Sequence, residues 1–83
     1  MLETFIAAAL SQIGKPYVFA AEVSPAEPSP AAFDCSELVE WASHRAGAPL
    51  PDGSGNQIAA CERAGTVISL EEARRTRGAL LFR

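Results

Sequence analysis

The residues best suited to chemistry sit in one short run, Phe33-Asp34-Cys35-Ser36. Asp34 can cap a helix beginning at Cys35, and Glu37 stands three residues later, in the reciprocal capping position. Cys35 then occupies the first helical position. Free backbone N–H groups and the positive end of the helix dipole favour an anion there. Such a setting stabilises a thiolate and makes it a nucleophile. A small buried hydrophobe suits the same position, and residue type alone leaves both readings open. Asp34 is double-sided in the same way: capping accounts for it, and a substrate amine can use it. A thiolate nucleophile needs a general base, normally histidine. His44 is the only histidine. It lies nine residues beyond Cys35, roughly 900° around the helix and more than two turns along it. The two side chains cannot meet within one helix, so His44 reads as a solvated surface residue.

The other reactive types have plainer readings. Cys61 follows Ile58, Ala59 and Ala60 and reads as half-buried filler. A Cys35–Cys61 disulfide is left open by the sequence, whereas the nucleophile reading requires a free thiol. Two cysteines form no zinc-ligand cluster, and no metal or cofactor is expected. Trp41 suits a core edge better than a binding surface. Arg74, Arg75, Arg77 and Arg83 read as a solvated basic edge rather than an anion site.

Helices, a loop and short extended pieces must position these residues. Phe5, Ile6, Ala9, Leu10 and Ile13 recur at helical spacing, predicting a first helix over 2–13 with one buried stripe, stopped by Gly14 and Pro16. Pro16-Tyr17-Val18-Phe19 reads as a short extended piece. Residues 20–33 hold Pro25, Pro28 and Pro30 and read as a proline-rich surface loop. The helix from Cys35 places Leu38, Val39, Ala42 and Ala46 on one face with the cysteine, and Glu37, Glu40 and His44 on the other. Gly47 ends it. Ser54 with Gln57 and Ser69 with Glu72 are two further capping-box patterns, the first opening a helix that stops at Gly65. Ala79-Leu80-Leu81-Phe82, after Gly78, reads as a short buried strand.

Eighty-three residues with 48% hydrophobic and 20% charged content fit one small globular domain. A net charge of −3 argues against a general nucleic-acid binder. That charge is uneven: six acids stand against Lys15 in residues 1–42, and six arginines against four acids in residues 43–83. No run approaches the roughly 18 apolar residues of a membrane helix, so no membrane insertion is expected. Met-Leu-Glu-Thr lacks the basic start of a secretory signal. The expectation is a protein made in the cytoplasm without its own export address.

Taken together, Gly14-Lys15-Pro16-Tyr17-Val18-Phe19, Phe33-Asp34-Cys35-Ser36, Leu38-Val39, Leu50-Pro51, Gln57, and Gly78 before Leu80-Leu81-Phe82 resemble the NlpC-type cell-wall cysteine peptidases. Order and spacing agree from the first helix to Phe82. The resemblance implies an α+β, papain-like fold of which residues 1–83 are the N-terminal, helical part plus the first core strand, with the sheet incomplete. It implies cleavage of amide bonds in peptidoglycan stem peptides, typically between D-glutamate and a diamino acid. Cys35 would be the nucleophile and its backbone N–H part of the oxyanion hole. Tyr17 would stand beside it and shape the pocket, and Asp34 and Ser36 would line the pocket for the stem peptide. Action at the wall would then depend on a phage particle or an export device.

Departures from that pattern are visible. Ala20 and Ala21 stand where the family often has glycines, Glu37 replaces a frequent glycine, and Ala79 takes the place of an aspartate. The family's histidine lies on the strand after the Leu-Leu-Phe strand, and its orienting residue on a later one; neither falls within these residues. The isolated chain is therefore expected to be inactive, with the histidine supplied by a C-terminal segment or another chain. Leu38, Val39, Ala42 and the 80–82 strand would be left incompletely covered. The alternative is a non-catalytic, stem-peptide-binding remnant or subunit. Thiol redox chemistry is weaker, since there is no Cys-x-x-Cys pair.

Overall fold

A computed structural model describes residues 1–82. They form four helices: α1 (Leu2–Leu10), α2 (Cys35–Arg45), α3 (Ser54–Ala64) and α4 (Leu70–Ala73). α1 and α2 pack together, and α3 leans on the start of α2. None of the helices is long and apolar enough to cross a membrane.

α2 starts and stops where its sequence dictates. The Asp34 carboxylate accepts a hydrogen bond from the Glu37 N–H at 2.9 Å, and Gly47 follows the C-cap with φ +74°. The reciprocal half of the capping box is not made, because the Glu37 carboxylate turns to the Val23 N–H instead. α4 forms from its Ser69 cap, whose Oγ accepts from the Glu72 N–H at 3.0 Å. α3 ends on the left-handed Gly65 as expected, but its start differs: Gly53 is the cap, and Gln57 spends its side chain elsewhere. α1 is shorter than its periodicity predicts. It gives way after Leu10 to tight turns through Lys15, and Ile13, the last residue of the expected stripe, is 79% exposed.

The core is small and centred on α2. Phe33 and Trp41 meet edge to face at 5.8 Å between ring centroids, beside the fully buried Ala42. Phe5, Ala8 and Ala9 of α1 pack against this cluster, with Leu38 and Val23. Burying one large apolar side chain of this kind contributes about 1.5–3 kcal/mol. Of the face expected to lie incompletely covered, Ala42 is buried against α1, while Leu38 and Val39 remain half-buried.

Two sequence expectations fail here. No β-strand forms among the described residues, and Ala79–Phe82 is irregular. A strand exists only by pairing, and no described segment offers a second edge. Instead Leu80 lines an apolar cavity together with Met1, Leu2 and Phe5 of the α1 region and Leu50. Arg77 holds this segment to α1 through a two-pronged pair with Glu3, at 2.9 and 3.0 Å.

The face of α2 assigned to solvent is also partly covered. Glu37, Trp41 and Arg45 recur every four residues and so line one side of the helix. Each binds the 20–33 loop. Glu37 accepts from the Val23 N–H, the Trp41 indole N–H donates to the Glu27 carbonyl at 2.8 Å, and Arg45 donates to the carbonyls of Pro25 and Glu27. Pro30 and Phe33 at its end are buried. The loop is a strap fastened along α2, not a free surface excursion.

Candidate active site

The strap's two ends bring the sequence motifs together. Val18 N–H donates to the Phe33 carbonyl at 2.9 Å, and Phe33 N–H donates to the Pro16 carbonyl at 3.2 Å. This isolated parallel bridge pairs Tyr17 with Phe33. It seats the Pro16-Tyr17-Val18 segment two residues from Cys35. Tyr17 is 64% exposed there.

Cys35 opens α2 with an exposed side chain and a free thiol. Its own N–H and that of Ser36 have no hydrogen-bond partner among the described residues, whereas the next two amides are bonded to Asp34. An exposed thiol beside two open amides can attack an electrophilic carbonyl and meet the charge that develops on its oxygen. Asp34 uses Oδ1 for the cap and for the Ser36 hydroxyl at 3.2 Å. No described residue donates to its second oxygen. Ser36 is thereby oriented by Asp34.

Gln57 supports this turn; in the sequence it reads as a capping residue and as one of the positions of the family resemblance, not as a support for the cysteine turn. It is 1% exposed, and its Nε2 donates to the Ser36 carbonyl at 2.9 Å and to the Pro51 carbonyl at 3.1 Å. The Ser36–Glu37 peptide is therefore fixed at both ends, its carbonyl by Gln57 and its N–H by Asp34. A long amide side chain just after a Leu-Pro turn, on a helix that must pack on the cysteine helix, is the signal that points to it.

The other candidates fall where expected. His44 is exposed in the last turn of α2, some 13 Å of helix rise from Cys35. Cys61 is half-buried and free, as filler would be. Trp41 is core.

Glu37 is the residue most misread by helical projection. It is 4% exposed, and carboxylate oxygens of Glu22, Glu37 and Asp52 lie within 4.8 Å of one another. Burial, and next the neighbouring Asp52 carboxyl, push the Glu37 carboxyl up to about 7, against the opposing pull of the Val23 amide. Burial raises Glu40 as well, helped by Asp52 and opposed by His44. An all-oxygen set of this kind has the chemistry of a hard-cation site and equally that of acids sharing a proton.

Comparison with known proteins gives a partial match. No protein-family model matches the chain, and no solved structure does. Over 49 residues it is 43% identical to a probable endopeptidase of Mycobacterium bovis and to two probable endopeptidases of Mycobacterium tuberculosis. The matched stretch is 59% of this chain and 11% of each relative. The chain thus spans about a ninth of the length of the curated relatives it matches.

Proposed function

We propose that this chain is the nucleophile-bearing part of a cysteine endopeptidase acting on peptidoglycan stem peptides. The observation that carries the reading is the exposed Cys35 thiol at the start of α2, with the unpartnered amides of Cys35 and Ser36, two residues after the bridge that pairs Phe33 with Tyr17. The partial similarity to probable endopeptidases supports the hydrolase class. The NlpC-type motifs supply the substrate class and the site of action at the cell wall.

In this mechanism the Cys35 thiolate adds to the carbonyl carbon of the scissile amide, and the Cys35 and Ser36 amides receive the oxyanion. Collapse breaks the C–N bond, the amine leaves with a proton from the general acid, and a thioester remains on Cys35. Water, deprotonated by the same base, then hydrolyses the thioester and restores the thiol. Tyr17 bounds the pocket, and the free oxygen of Asp34 faces the amine end of the peptide. No described residue serves Cys35 as base, so the proposal assigns that role to a histidine outside these 83 residues, on the same polypeptide or another chain. That same lack of a base favours the second reading, a non-catalytic stem-peptide-binding subunit.

The test is cleavage of a stem peptide containing D-glutamate and a diamino acid by the chain together with its flanking sequence, followed by mass spectrometry. Cleavage that Cys35→Ala abolishes is expected. Binding without cleavage would select the second reading, and neither binding nor cleavage would reject both.

A further inference from the structure

The strap along α2 is fastened at three points, and one of them is chemically unlike the others. Trp41 and Arg45 bind the carbonyls of Pro25 and Glu27 through indole and guanidinium N–H donors. Glu37 binds the Val23 N–H with a carboxyl that is buried and faces further acids. Glu22 approaches it from the strap, Asp52 from the α2–α3 connection, and Glu40 from the next turn of α2. His44 lies beyond Glu40 and influences that residue. Arg45, the nearest cation on the row, is committed to strap carbonyls and stacks 4.5 Å over the Trp41 ring. Among the described residues no salt bridge reaches Glu22, Glu37 or Asp52.

We propose that the 20–33 strap is a proton-operated latch, held on α2 while Glu37 carries a proton shared with Asp52 and loosened when that proton is lost. Protonated Glu37 donates its O–H to Asp52 and still accepts the Val23 N–H, so every polar group is satisfied under the strap. Deprotonation puts a charge on the buried Glu37 carboxylate, which faces the exposed carboxylates of Glu22 and Asp52 and has no salt bridge among the described residues. The Val23 amide favours the ionised form, but burial and Asp52 outweigh it, placing the transition near pH 7. The folded carboxyl holds its proton more tightly than the unfolded one. The latch's contribution is therefore full below about pH 4.5 and is lost as pH rises through about 7. It acts on the strap's attachment and does not depend on what Cys35 attacks.

Trp41, the single tryptophan, lies 4% exposed beneath the strap and reports on it directly. Acrylamide quenching of its fluorescence is measured on the 83-residue chain from about pH 5.5 to about pH 8.5. The expected result is a quenching constant that rises at least about twofold with a midpoint near neutrality. Glu37→Gln, which keeps the neutral hydrogen-bonding shape, is expected to stay at the low-pH value throughout. Asp52→Asn, at an exposed residue, is expected to move the midpoint to lower pH. His44→Gln is expected to leave it unmoved. A flat wild-type profile, an unchanged transition in Glu37→Gln, or a transition that disappears in His44→Gln would overturn the latch. If Glu37→Gln fails to give the helical circular-dichroism spectrum, Asp52→Asn decides: an unmoved midpoint rejects the proposal.

Discussion

At the scale of single residues, the candidate site is a cysteine held in place by neighbours that themselves do no chemistry. Gln57 is the clearest of these. Gln57→Leu removes the side-chain donor to the Ser36 and Pro51 carbonyls and leaves the rest of that buried site without a polar partner, and a loss of about 1–3 kcal/mol in chemical denaturation is expected. Asp34→Ala removes the α2 cap and is expected to cost about 1 kcal/mol. The two thiols should separate in the folded protein. Cys35 is exposed and Cys61 half-buried, so iodoacetamide followed by peptide mapping is expected to modify Cys35 first. Cys35 and Asp34 were legible in the sequence because a helix cap is a local pattern. Glu37 was not. A helical projection assigns it to solvent, and only a segment 14 residues upstream buries it.

At the scale of elements, what was legible followed the same division. α2, α4 and the end of α3 depend on caps and glycines within their own few residues, and they form as read. The proline content of 20–33 excluded a helix correctly but said nothing about where the loop lies. The Glu37–Trp41–Arg45 row is the pattern that would have placed it: a tryptophan amid charged residues at four-residue spacing is a stripe waiting for a partner. The strand at 79–82 failed for the opposite reason. An apolar run is compatible with a strand, yet pairing is supplied by other segments, and within residues 1–82 only its Leu80 turns to the cavity beside α1. Gly78 makes that approach possible. It has φ +82°, and a Cβ there would run into the Leu2 side chain. Gly78→Ala is expected to cost about 1–2 kcal/mol, read as a lower thermal midpoint.

At the scale of the whole molecule, two features stand out: uneven charge and uncovered apolar surface. The acidic first half now has a structural counterpart, since Glu22 and Glu37 converge with Asp52 across the strap. The folded chain is accordingly expected to be more stable at about pH 5 than at about pH 8 in thermal melts, a difference that Glu37→Gln removes. Ile13, Phe19 and Leu81 are each at least three-quarters exposed, beside the half-exposed Val18 and Val67. Such surface promotes association, and sedimentation velocity is expected to show mass rising with concentration. The central claim, however, is that Cys35 is a nucleophile for stem peptides. Its most direct test is covalent capture: a stem peptide bearing a thiol-reactive electrophile at the scissile position, compared with the same electrophile on a scrambled peptide, with the adduct located by mass spectrometry. The account predicts faster labelling by the stem peptide, confined to Cys35 and absent in Cys35→Ala. Equal labelling by both peptides, or an adduct on Cys61, would contradict it.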